Sequence, residues 1–101
     1  MASENLSSRE LPYSTEAEKA VLGGIMLKNE TWDIISDLVK EDDFHKEEHK
    51  LIYRTINNLQ DEGKPVDVIT VQEAIEGNGD LPKLINSGGK DYLTLLASCL
   101  L

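Results

Sequence analysis

From Thr15 onward, apolar residues recur with the period of a helix. Ala17, Ala20, Val21 and Gly24 fall at i, i+3, i+4 and i+7, and Leu22, Ile25 and Met26 widen that face. The helix is predicted to start at Ser14 or Thr15. Thr15-Glu16-Ala17-Glu18 fits a capping box, and Glu16 and Glu18 also lie where the helix dipole favours anions. Within this pattern Gly23 and Gly24 stand side by side. Each costs roughly 1 kcal/mol relative to alanine in a helix interior. Three things could offset that cost: a phosphate loop, a kink, or a surface where another helix comes very close.

The pattern continues through the chain. Asn29 is placed to cap a second helix, with Trp32, Ile35, Leu38 and Val39 on one side and Glu30, Asp33 and Asp37 facing water. "KEDDF" breaks the period and reads as a turn anchored by Phe44. A third helix from about Lys46 to Gln60 carries His49, Ile52, Tyr53, Ile56 and Leu59 as a stripe opposite Lys46, Lys50, Arg54 and Asn58. Gly63 and Pro65 end it. "PVDVITVQEAIE" is rich in strand-forming Val and Ile. Yet Asp67 is a good cap, Thr70-Val71-Gln72-Glu73 fits a second capping box, and Val71, Ala74 and Ile75 keep helical spacing, so a fourth helix is predicted. "LPKLI" makes at most a short helical turn. A last helix begins near Lys90 and carries Tyr92, Leu93, Leu95, Leu96, Cys99 and Leu100. The expected fold is all-α, a compact orthogonal bundle of about five to six short helices, preceded by a polar, flexible arm over residues 1–13. The apolar pattern of the last helix runs to Leu101 without a cap, so the domain over 14–101 reads as cut from a longer chain, or as packing that end on a partner.

Composition narrows the function. With 101 residues the chain holds one small domain, and with 5% aromatic residues its core must be aliphatic. Nineteen acidic residues face 10 basic ones, a net charge of −9, which disfavours direct binding to nucleic acid and suits a protein partner or simple solubility. The single Cys99 reads as a small buried hydrophobe in a reducing compartment. The N-terminus lacks a secretory pattern and no segment approaches the ~20 apolar residues of a membrane helix, so a cytoplasmic protein is expected.

Candidate chemistry is sparse. "HKEEH", His45 to His49, matches the pattern by which a zinc hydrolase holds metal through two histidines with a glutamate, here Glu48, activating water. His49 however falls on the apolar stripe of its helix, where a packed histidine is the expected reading, and no metal site is assigned. The acids of "EDD" lack the register and glycine of a calcium loop. A Walker A loop fails as well. Gly63-Lys64 is followed by Pro65, Gly89-Lys90 is followed by Asp91 with Leu84 at the first glycine position, and Gly23-Gly24 has no lysine in place. No catalytic residue and no cofactor-binding residue is assigned.

The blocks "LPYSTEAEKAVLGGIML", "EDDFHKEEHKLIYRTINNL", "GKPVDVITVQEAI" and "GGKDYLTLL" follow one another with short spacers from about Leu11 to Leu100. In that order they resemble the N-terminal domain of the bacterial replicative DNA helicases of the DnaB family. The resemblance implies a helical collar domain at the head of a hexameric, ATP-driven ring. It would dock the helicase-binding domain of primase, take part in the response to a helicase loader and contact other helicase subunits. ATP and Mg would belong to a separate motor domain of the parent protein. The family domain continues into a helical hairpin that makes much of the dimer contact, so this chain is expected to be a monomer or a weak dimer. Tyr92 is the partner-binding candidate, with a core position equally compatible. Gly23 and Gly24 are read as a close-packing strip: Gly24 on the packed face, Gly23 tolerated beside it, and the third helix as neighbour. The alternatives are the small zinc hydrolase and a free-standing helical adaptor.

Overall fold

The computed structural model describes residues 15–87, 89 and 91–98, with 85–87 described for the backbone alone. Along them run five α-helices: α1 (Thr15–Leu27), α2 (Thr31–Leu38), α3 (Glu47–Asp61), α4 (Val68–Gly77) and α5 (Asp91–Ser98). Short 3-10 turns occupy Glu41–Asp43 and Leu81–Ser87, and no strand occurs among the described residues. The all-α architecture is the one that the 3.6-residue period called for. The arm expected over residues 1–13, and Cys99 and Leu100 of the last helix, lie outside the described residues.

Helix stops follow from backbone chemistry. At the end of α3, Gly63 takes φ of 73°, the Gly63 N–H donates to the Gln60 carbonyl and the Lys64 N–H to the Leu59 carbonyl. This pair of bonds satisfies carbonyls that the helix leaves orphaned, and only glycine adopts the left-handed turn without cost. Gly79 closes α4 in the same way. At the start of α4 the Asp67 side chain accepts from the Thr70 N–H, while the Thr70 hydroxyl receives the Asp67 N–H. The cap at Asp67 resolves the strand-or-helix ambiguity of "PVDVITVQ" in favour of helix. The reciprocal partner is Thr70 rather than Glu73, because the helix begins two residues before Thr70.

The core is aliphatic, as 5% aromatic content required. Leu22, Ile25, Ile52, Ile56, Val71, Ile75, Leu84, Leu93 and Leu96 are fully buried, and Phe44 seals the turn before α3. Each such side chain contributes about 1.5–3 kcal/mol on leaving water. α1 lies against α5, α3 and α2, and α4 closes onto α3 and α5. The predicted stripe of α3 is buried throughout, from His49 to Leu59.

α2 departs from expectation. It ends at Leu38, and Val39 takes an extended conformation, φ −128° and ψ 134°, which turns its side chain out of helical register and into the core. Leu38, expected on the buried side, is instead 67% exposed. Trp32 and Ile35 do face inward, with the Trp32 ring 5.2 Å from that of Tyr53, whose hydroxyl donates to the Val39 carbonyl. Asn29 does not cap α2 either. The cap position belongs to Glu30, without a side-chain bond, and the Asn29 amide pairs with the backbone of Val66, donating to its carbonyl at 2.5 Å and accepting its N–H at 2.8 Å. A side-chain amide has the donor and acceptor of a peptide unit, so it satisfies both groups of Val66 at once. That clamp ties the α1–α2 turn to the entry of α4.

Candidate functional site

Three polar side chains meet inside the bundle. Glu18 of α1, His49 of α3 and Tyr92 of α5 are 1%, 0% and 4% exposed. His49 Nδ1 lies 2.6 Å from Glu18 Oε1, and His49 Nε2 lies 2.5 Å from the Tyr92 hydroxyl. The Glu18 carboxylate also accepts the His45 N–H at 2.6 Å and the Lys46 N–H at 3.4 Å. It therefore stands as an anion at the N-terminal end of α3, where the helix dipole favours one. The capping box expected within α1 is not formed by Glu18. Thr15 is already helical, and the carboxylate is turned across the bundle to α3.

The protonation states follow from the donors and acceptors. Burial alone raises the Glu18 pKa, but the bonds from His49, His45 and Lys46 outweigh it and hold the carboxyl below its ordinary value of 4.5. Burial pushes His49 below its ordinary 6.5, against the opposing pull of Glu18. At neutral pH the imidazole is thus uncharged. A carboxylate only accepts, so Nδ1 carries the hydrogen and donates to Glu18, and bare Nε2 accepts the Tyr92 O–H.

The order carboxylate, imidazole, hydroxyl is that of a nucleophilic triad. Here it lacks two requirements of catalysis. The hydroxyl is a phenol, and no substrate reaches groups this buried. Neither described cavity is lined by any of the three: a cleft of about 160 Å³ is bounded by Trp32, Ser36, Lys40, Tyr53 and Arg54, and one of about 340 Å³ lies between α3 and α4. What the arrangement does is tie three helices together through satisfied polar contacts.

Each residue singled out in the sequence has a place in this geometry. Tyr92 is a core residue and not a surface anchor, because its hydroxyl finds a buried acceptor on His49 and its ring lies within 10° of parallel to the imidazole, 5.8 Å away. His49 and His45 do not share an open face. His45 is exposed, and both ring nitrogens of His49 are engaged within the protein, so a zinc ion would have to displace Glu18 or Tyr92. No group of three His, Cys, Asp or Glu side chains is placed to hold a metal ion among the described residues. Gly23 is buried at a close approach of α5 to α1. A Cβ built there would collide with the Leu96 carbonyl oxygen of α5. The neighbour of Gly23 is thus α5, and Gly23 is required rather than tolerated; Gly24 is half-buried beside it. Glu18 and Asn29 are the residues whose roles sequence reasoning missed. Both were singled out as local caps, and both act across the fold.

The family description "DnaB-like helicase N terminal domain" matches residues 10–100. The replicative DNA helicase DnaB of Buchnera aphidicola subsp. Baizongia pistaciae is 49% identical over 72 residues, 71% of this chain and 16% of that protein. The replicative DNA helicase DnaC of Bacillus subtilis is 40% identical over 93 residues, 92% of this chain and 20% of that one. The chain thus spans a fifth or less of these relatives. A crystal structure of the N-terminal domain of DnaB helicase from Mycobacterium tuberculosis superposes with a TM-score of 0.80 and 30% identity, covering 89% of this chain and 60% of the other.

Proposed function

The chain belongs to the DnaB-like helicase N-terminal domain family, and from that premise we propose that it is the protein-interaction and assembly domain of a hexameric replicative DNA helicase. In this role it docks the helicase-binding domain of primase, meets a helicase loader and other subunits, and contributes to the collar of the ring. The parent protein unwinds DNA at the fork in the cytoplasm, with ATP and Mg held in a motor domain outside these residues. The collar holds primase near the emerging single strand, so local concentration rather than chemistry couples the two activities. The observation that carries this reading is the family match over residues 10–100. The net charge of −9 agrees with a module that binds protein rather than phosphate backbones.

Titration of the 101-residue chain with the helicase-binding domain of primase, followed by light scattering, is expected to give a complex of summed mass at micromolar concentrations. Absence of a complex overturns primase docking by these residues. The same chain is expected to hydrolyse no ATP and to bind random single-stranded DNA negligibly at physiological salt; micromolar affinity for that DNA overturns the reading as a protein-binding module.

A further inference from the structure

α2 contributes no buried residue to the core, yet it is apolar on two sides. Trp32 and Ile35 face the bundle, while Ile34 and Leu38, one turn apart, are 64% and 67% exposed. Among the described residues, the other large exposed hydrophobics stand singly on their helices, Leu27 on α1, Ile69 on α4 and Leu95 on α5. At 100° per residue, Glu30, Asp33 and Asp37 fall along one flank of the Ile34–Leu38 ridge. No basic residue lies between Glu30 and Val39, and the Nζ of Lys40, just beyond, is turned back to the Ser36 carbonyl. None of the ion pairs between described side chains uses Glu30, Asp33 or Asp37.

We propose that this ridge is a docking surface for a basic amphipathic helix of a partner protein, whose Leu/Ile stripe packs on Ile34 and Leu38 while its Lys or Arg side chains meet the acidic flank. The charges select this occupant. A nucleic acid or an anionic membrane brings phosphates against three carboxylates, and a second copy of this chain brings the same three acids. A helix with apolar residues at i, i+3, i+4 and i+7 offers the groove that a two-residue ridge fills. The assignment deepens the reading above and rests on it only in taking the domain as a protein-binding module. It is tested with different probes from the primase titration, so either can fail alone.

The test uses two synthetic helical peptides of ~18 residues, one with a leucine stripe flanked by lysines and one with glutamates in place of the lysines. The reporters are the fluorescence of Trp32, the only tryptophan, and backbone amide shifts. The lysine peptide is expected to bind with salt-sensitive affinity and with shifts centred on α2. Ile34→Ser with Leu38→Ser should weaken it about tenfold or more while leaving the melting temperature and circular dichroism unchanged. Asp33→Lys with Asp37→Lys should weaken the lysine peptide and favour the glutamate one. Equal binding by the Ile34→Ser, Leu38→Ser chain overturns the proposal, as do shifts centred on another helix or equal binding of the two peptides by the unaltered chain. Self-association of the unaltered chain that the serine pair abolishes also overturns it, by assigning the ridge to a second copy.

Discussion

At the junction of α1, α3 and α5, Glu18, His49 and Tyr92 are shut away from water and bonded to one another. On the outer face of α2, Ile34 and Leu38 meet water, and the carboxylates beside them have no cation among the described residues. The first region places polar groups where they are expensive and satisfies them, which fixes how three helices are oriented. The second leaves apolar groups where they contribute little to folding. A domain this small has few contacts to spare. It concentrates specificity in one junction and leaves a peripheral helix available for something other than stability.

If that division is correct, substitutions at the junction must cost most. His49→Ala removes the partner of a buried carboxylate and the acceptor of a buried phenol together, and is expected to lose about 3–5 kcal/mol. That is comparable to the whole stability of a marginal domain, so the cooperative melting transition should weaken or vanish. A loss under about 1 kcal/mol in denaturant titration would show that the junction does not fix the fold. Gly23→Ala follows, at about 1–3 kcal/mol. Its added methyl meets the Leu96 backbone, which cannot rotate away, and this outweighs the gain of about 1 kcal/mol in helix propensity. A raised melting temperature for this variant would show that α1 and α5 separate more freely than the packing implies.

Acid sharpens the same contrast. His49 is held below 6.5 in the folded chain, so as pH falls through that value the unfolded chain takes up a proton that the folded one refuses, and stability drops. Glu18 is held below 4.5, so its contribution is present above that value and is lost as pH falls further, through the folded pKa. Both act in one direction. The His49 contribution reaches at most about 1.4 kcal/mol per pH unit. In a nuclear magnetic resonance titration the His49 ring should titrate with a midpoint below 6.5; a midpoint at or above that value rules out the neutral imidazole of the junction.

Much of the stable half was legible in the sequence, and the reason is local. The stripe of α3 repeats every three to four residues, so His49 to Leu59 could be placed on the core side without knowing what they touch. The partners could not be placed. Glu18 finds His45, Lys46 and His49 across separations of 27, 28 and 31 residues, and Tyr92 finds His49 across 43. A short-range cap is the natural reading of Glu18 or Asn29 until another element is known to pass beside it. Periodicity also placed Leu38 on the inner side of α2, and failed because one residue in extended conformation, Val39, takes over the buried position. Paired glycines announced a close approach in the sequence. That Gly23 makes one, against α5, depended on how α5 returns to α1.

The smallest effect expected is also the one that tests the comparison from its other side. Ile34 and Leu38 are about two-thirds exposed, so exchanging both for serine removes little area from the folded core. Surface changes of this kind move stability by about 0.5 kcal/mol or less, a shift of ~4 °C or less in melting temperature for a domain of this size. Serine has slightly lower helix propensity than leucine, which accounts for a few tenths of that figure. A loss of about 2 kcal/mol or more would mean that these side chains carry folding contacts, and the outer face of α2 would join the junction as a structural element. Unchanged stability leaves two large hydrophobics in water with no folding role, and the division between a fixed junction and an available helix stands.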